Sequence, residues 1–589
     1  MADEPNVQHN VDEVFLVMQG GGAKGIAHAG GLIAIEDEEL SIKGIAGTSA
    51  GSIAAVLVAA GYTGRELVDP LKKTHLFMLP PFGKDKGDLR YSKPTQLFTW
   101  FGWRVLRALR GLPSLPKRIL VPFKATWAVY CWWVLILCLG VGAFFWSSMT
   151  VSEMFYAIPA TGWRAIRAAA PWLLGVLVFF FFWGLWGITS VRNVRKIIDL
   201  ILAKRLKERL KRSGIEKSSN ITFADMERAG CPPLKIIATN TATESLELFS
   251  AERTPDVAVA DAVAASICLP IIFKPKRLAF TRRTPFVDLK MKGKFLDGGI
   301  VSNLPAWALD EERLLHPGVP TIALSLSSPS PVNKKFWFTA LIGTVVNGSS
   351  EIHTRTPNKI LTVALETRAN LLDFDLSASD VYEEVSAAQT RVAEELSMAL
   401  RGPVVLSDAV RVLQEELHYV MNMFRGSLYR PQGTKDRIRA GIGVQRGSSM
   451  KTLSTVFHAG YRQEDPDSQL TVLLRESHAG AAWLNQEVIV DDLGSGEAPR
   501  FPIASQAWSE RTFILCFPVT EAVRVSESNI EVRARPVVIT VDCNLHFLRE
   551  SPDFDELFQD FCTSISVIAT SYTESMDLAQ YAQGANTWL

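Results

Sequence analysis

The sequence predicts an α/β domain built on a parallel sheet and interrupted by a pair of long apolar helices, followed by a smaller α+β domain. Three observations carry this expectation. Near the N-terminus, short apolar runs alternate with small-residue helical stretches: VFLVM leads into QGGGAKG, and IKGIA leads into GTSAGSIAAVLVAA. That order packs helices against parallel strands. Residues 125–149 and 168–191 are apolar and carry no charge. From about residue 427 the pattern changes to strands, among them RAGIGVQRG, QLTVLLRE, RTFILCFPV and RPVVITVDC, closed by the amphipathic FDELFQDFCTSISVIA.

Composition narrows the function classes. The 589 residues hold 62 Lys and Arg against 61 Asp and Glu, a formal net charge of +1, so net charge gives no support to a nucleic-acid partner. Seven cysteines occur without C-x-x-C spacing, which argues against a disulfide framework or a structural zinc and for a reducing compartment. No metal and no cofactor is expected. The acidic, polar MADEPNVQHN lacks the basic and apolar regions of a secretory signal.

The two apolar runs are each long enough to span a bilayer, since ~20 residues cross the hydrocarbon core at about 1.5 Å per residue. Tryptophans near their ends, such as Trp127, Trp146 and Trp172, suit an interfacial belt. Arg104 to Lys124 precede the first run and Arg192 to Arg209 follow the second, whereas the loop between holds only Arg164 and Arg167 against Glu153. The excess of cations outside the pair predicts a transmembrane hairpin in the cell inner membrane, with the domain that it interrupts and the C-terminal domain cytoplasmic. The segment 195–213 reads either as a solvated basic face or as a contact for anionic headgroups.

Gly20, Gly22 and Gly25 fit G-x-G-x-x-G between a strand and a helix, a pattern shared with dinucleotide sites. The second strand argues against that use, because it ends not in an acid but in Gly47-Thr48-Ser49-Ala50-Gly51. G-x-S-x-G between strand and helix is a nucleophile elbow, in which Gly47 and Gly51 permit the sharp turn that exposes Ser49. Gly20, Gly21 and Gly22 then bring backbone N–H groups close to a developing oxyanion. Parallel pairing of the two strands places both loops at one carboxyl edge. No histidine sits in a pattern that nominates it as base, and His28 reads as structural. Asp297, between the run KGKFL and Gly298-Gly299, is the better candidate, although Asp-Gly alone is commonly a turn.

These blocks, together with ASICLPIIFKP at 265–275 and with Asn303 and Pro305, resemble the patatin-like phospholipase family over about residues 12–80 and 220–370. The resemblance implies a lipid acyl hydrolase using a Ser49–Asp297 dyad, with Gly20 to Gly22 as oxyanion hole. Lys24 and Gly25 support that loop, Gly298 and Gly299 follow the base, and Ser266 with Pro270 pack near the site. Membrane phospholipid is the implied acyl donor. The expected catalytic domain is discontinuous (1–89 and 216–375) around an inserted membrane region (90–215).

Residues 376–426 read as a helical connector broken near Gly402-Pro403. The strand-rich 427–589 looks faintly like a GAF sensor domain, expected to bind a small-molecule or protein regulator. His458, Cys516 and Asp542 read as ordinary core or loop residues, and a homo-oligomer stays open. Two rival readings are a catalytically inactive membrane receptor or scaffold, which the intact Ser49, Asp297 and glycine loop oppose, and a nucleotide-dependent enzyme, which the missing acid opposes.

Overall fold

A computed structural model describes residues 12–78, 98, 102–104, 187, 189–270, 272–327, 360–371, 373–445, 451–462, 465, 467, 470–503, 507–525 and 530–575. The first sheet comprises β1 (Glu13–Met18), β2 (Ser41–Thr48), β3 (Leu234–Asn240), β4 (Ser245–Phe249), β5 (Lys276–Arg283), β6 (Asp288–Leu296), β7 (Thr321–Ser327) and β8 (Ile360–Glu366). Its order is β8-β7-β1-β2-β3-β6-β5, with β4 also on β3. β8, β7, β1, β2 and β3 run parallel. The remaining strands are antiparallel additions. From Val14 onward β1 is fully buried, as expected of a parallel strand covered on both faces. Met18 pairs with Gly47, so the turns after β1 and β2 leave the sheet side by side.

Small residues let the covering helices approach closely. In α1 (Ala27–Asp37) a Cβ added to Gly30 would lie 2.1 Å from the Val385 carbonyl oxygen of the helix packed across it. α2 (Ala50–Ala59) buries eight of its residues, all small or aliphatic. α3 (Arg192–Arg212) presents Val194, Ile197, Ile198 and Ile201 at helical spacing to the core, joined by Leu202, Leu206 and Leu210. Burying each such side chain stabilises by about 1.5–3 kcal/mol. Its cations engage the same domain: Arg195 pairs with Asp261 at 3.1 Å, and Arg205 pairs with Glu66 at 2.9 Å while lying over the Tyr62 ring.

The expected transmembrane hairpin, and the multi-pass placement in the cell inner membrane that rested on it, are corrected here. Among the described residues no helix is long and apolar enough to cross a membrane. Residues 125–149 and 168–186 lie outside the described residues. The described end of the second run belongs to the first domain: the Thr189 N–H donates to the Ile272 carbonyl at 2.9 Å, and the Lys274 N–H donates to the Thr189 carbonyl at 2.8 Å. Thr189 thus bridges Phe273 as a piece of strand, and α3 continues from it as a core helix. Apolarity at this end serves burial in the α/β core.

After α4 (Val259–Ser266), α5 (Ala378–Met423) is one continuous helix of 46 residues. Ser377 and Asp380 form a capping box at its start. The break expected at Gly402-Pro403 is absent, and Pro403 lies inside the helix. A proline deletes one helical N–H and crowds the preceding turn. Here both flanks are held by packing, with Ala399 in the first core and Leu406 in the core of the second domain.

That second domain is built on an antiparallel sheet of β9 (Ile438–Val444), β10 (Thr452–Ala459), β11 (Thr471–Leu473), β12 (Ile489–Asp491), β13 (Phe513–Val525) and β14 (Ile530–Cys543), ordered β11-β10-β9-β14-β13-β12. One face packs against the C-terminal half of α5 and α7 (Phe554–Ser575). The other packs against α6 (His478–Asn485). Asp542 does more than the sequence suggested: its carboxylate, with those of Asp465 and Asp467, neutralises the fully buried Arg439 guanidinium, which lies between the Tyr461 and Trp508 rings.

Candidate active site

The turn after β2 carries Ser49 at φ 52°, ψ −125°, a conformation that L residues rarely adopt. Such backbone costs about 1–3 kcal/mol and persists only where its surroundings enforce it. Several contacts do so. The Ser49 N–H donates to Ser266 Oγ at 2.9 Å, and Ser266 Oγ donates in turn to the Ile237 carbonyl at 2.6 Å. Ser52 Oγ donates to the Ser49 carbonyl at 2.6 Å. Gly51 is packed so closely that a Cβ would fall 2.3 Å from the Met18 carbonyl oxygen, so the turn leaves no room for a side chain there.

Ser49 Oγ donates to Asp297 Oδ2 at 2.6 Å, across 248 residues of chain. β6 delivers Asp297 to this point, and the residue is anchored at its backbone as well: its N–H donates to the Cys268 carbonyl at 2.8 Å, and the Asp297 carbonyl accepts from Thr239 Oγ1 at 2.8 Å. The Gly299 N–H donates to Oδ1 at 2.8 Å. Burial pushes the Asp297 carboxyl up to about 6, against the hydrogen bonds from Ser49 and Gly299 that hold it down. A carboxylate with its pKa raised toward neutrality accepts a proton more readily than an exposed one.

The glycine loop divides its labour differently from the sequence expectation. The Gly20 N–H is engaged by the Asn303 carbonyl at 3.1 Å. Gly20 instead gives room: a Cβ there would lie 2.6 Å from Asn303 Oδ1 and 2.8 Å from Ser49 Cβ. Gly21 and Gly22 line the cavity that opens beside Ser49, and Gly22 sits at φ 57°, where a side chain would be strained. The Lys24 N–H closes the turn onto the Gly21 carbonyl at 3.2 Å. Gly25 lets the loop approach α2, its missing Cβ standing 2.8 Å from Ala50 Cβ. His28 is structural: it is fully buried, its Nε2 lies 2.9 Å from the Gln19 carbonyl, and burial lowers its pKa to about 4.

Ser49 and Asp297 open into a cavity of about 590 Å³, within the range of small-molecule sites. Its walls are apolar, with Leu57 of α2, Ile197 and Ile201 of α3, and Phe273, Phe374 and Val381 among them. Sequence reasoning missed this wall. The spacing of 194, 197, 198 and 201 in RNVRKIIDLI marks an amphipathic helix that needs a partner, while the part played by Phe374 and Val381 has no local signature. Among the described residues no group of His, Cys, Asp and Glu is placed to hold a metal.

Residues 16–116 and 141–310 match the family model for patatin-like phospholipase. This part of the chain is similar to the patatin-like phospholipase family. Over 98 residues the chain is 38% identical to the uncharacterized protein YqhO of Bacillus subtilis (strain 168), covering 16% of this chain and 30% of that protein. The chain therefore spans less than a third of the length of the curated relative it matches. VipD from Legionella pneumophila is similar at 15% sequence identity, with 71% of this chain and 78% of VipD covered and a TM-score of 0.30. The GAF domain of an Acinetobacter phosphoenolpyruvate-protein phosphotransferase is similar at 14% identity over 31% of this chain and 96% of that domain, with a TM-score of 0.15. Likenesses at such scores carry no weight for fold or function.

Proposed function

We propose that the chain is a phospholipase A-like serine hydrolase that cleaves fatty-acyl esters of membrane lipids. The observation that carries this reading is the 2.6 Å Ser49–Asp297 hydrogen bond at the edge of an apolar cavity large enough for an acyl chain. Ser49 Oγ attacks the ester carbonyl while its proton passes to Asp297. The carbonyl π electrons move onto oxygen, where the Gly21 and Gly22 N–H groups, which have no backbone acceptor among the described residues, stabilise the charge. Collapse of the tetrahedral species expels the alcohol, which takes the proton from Asp297, and leaves acyl-Ser49. Water, deprotonated by Asp297, then hydrolyses the acyl-enzyme and restores the serine. Aliphatic walls contributed by α2 and α3 hold the acyl chain, and the C-terminal domain controls the rate.

The test is release of free fatty acid from mixed phospholipid vesicles by the full chain, beside Ser49→Ala and Asp297→Asn. Release by the wild type alone supports the dyad. Equal release by either variant refutes it.

A further inference from the structure

α5 has side chains in the cores of both domains, and its first turns touch the catalytic apparatus at separate points. Val381 and Tyr382 line the acyl cavity. Glu384, 8% exposed, accepts the backbone N–H of Arg368 at 2.9 Å and so fastens the segment that precedes the helix. In that segment the Leu371 carbonyl accepts the Ala23 N–H at 3.0 Å. The same oxygen stands where Gly22 lacks a side chain, only 2.2 Å from where a Cβ would be. The Val385 carbonyl presses against Gly30 in α1, the helix into which the glycine loop runs.

The other half of the helix is built into the second domain. Leu406, Val410, Leu413 and Leu417 are buried in the core that also holds Ile438, Ile539 and Phe561. From Glu384 to Leu413 the helix advances about 43 Å at 1.5 Å per residue. A helix packed along most of its length moves as a body, since cores are close-packed and transmit displacement.

We propose that α5 couples the C-terminal domain to the oxyanion loop, and that Leu371 is the positioning residue through which the coupling acts. A change in how the second core grips residues 406–421 shifts the helix start, and with it the carbonyl that sets the Gly22–Ala23 turn. The N–H groups assigned to the oxyanion are thereby aligned or misaligned with Ser49 without any change in the dyad. The inference rests on the hydrolase reading for its catalytic consequence, but its structural claim stands apart from it.

The experiment is a double-mutant cycle on the full chain. Leu413→Ala loosens the second core around α5. Arg401→Gly with Val404→Gly places a hinge between the two cores at exposed positions flanking Pro403. Amide hydrogen exchange of the peptide spanning residues 20–26 is read in the wild type, each variant and the combination, together with hydrolysis of a soluble short-chain ester. Leu413→Ala is expected to speed exchange at Ala23 at least tenfold and to change ester hydrolysis at least fivefold, and the hinge to reduce both effects to less than twofold. Equal effects with and without the hinge overturn the coupling. So does unchanged exchange at 20–26 while the amides of 438–444 exchange faster. If Leu413→Ala does not fold, Leu413→Val is judged by the same exchange criterion. A wild type that cleaves no ester removes the hydrolase reading, and the exchange cycle alone then decides the coupling.

Discussion

Replacing Asp297 by asparagine should abolish turnover and stabilise the protein, in a way that depends on pH. The carboxyl has an ordinary value of 3.8 and is raised to about 6 in the fold by burial. A carboxyl whose folded pKa is raised contributes stability that is fully present below its unfolded pKa and is lost as pH rises through the folded pKa. The loss therefore falls between about pH 4 and 6, and above it the buried charge costs about 3 kcal/mol, at 1.36 kcal/mol per pKa unit. Asparagine carries no charge at any pH and keeps both contacts, its oxygen accepting the Gly299 N–H and its amide donating to Ser49 Oγ. The variant should gain about 2 kcal/mol on the wild type between pH 4 and pH 8, or roughly 4–8 °C in Tm for a domain of this size. Thermal melts of both proteins at the two pH values measure it. An equal Tm difference at pH 4 and pH 8, or a variant less stable than the wild type at pH 8, refutes the argument that Asp297 is held ionised against burial.

Because Asp297 must be ionised to accept the serine proton, kcat/KM for a soluble ester should rise with pH to a plateau with its midpoint near 6; a profile flat from pH 5 to 8 excludes Asp297 as the base. Gly20→Ala, which sets a methyl against Asn303 Oδ1 and Ser49 Cβ, should lower kcat by about 10²–10³, the range for a disturbed oxyanion site, while circular dichroism stays that of the wild type. Ser266→Ala removes the acceptor of the Ser49 N–H and should cost about 1–3 kcal/mol in denaturant unfolding, with a fall in kcat and little change in KM. Ile197→Trp fills the cavity and should reduce hydrolysis of long-chain esters relative to short-chain ones by at least about tenfold; equal loss on both would remove the cavity as the acyl site.

Much of the site was legible because its chemistry is local. Gly47-Thr48-Ser49-Ala50-Gly51 must be small to make the elbow, and that demand is visible in five residues. The glycine run after β1 is equally local, yet the distinction within it is not. Gly20 is set apart from Gly21 and Gly22 as an N–H donor because Asn303, far along the chain, takes its N–H. The apolar run ending at 191 shows the opposite failure. Hydropathy alone cannot distinguish a bilayer from a protein core, and the hydrogen bonds of Thr189 with Ile272 and Lys274 assign the described end of that run to a core. Pro403 is a similar case, since its local propensity to break a helix is overridden by packing on both sides.

The sequence by itself determined the parallel α/β class, the candidate nucleophile, the candidate base and the change to antiparallel strands near residue 427, because each depends on short-range sterics and hydrophobic period. Only the tertiary structure decided what lies between them. It brought Ser49 and Asp297 within 2.6 Å across 248 residues, made α3 a cavity wall and ran one helix through two cores. The reason is that burial and hydrogen-bond satisfaction are properties of the whole packed chain, and a residue's neighbours in space are not written in its neighbours in sequence.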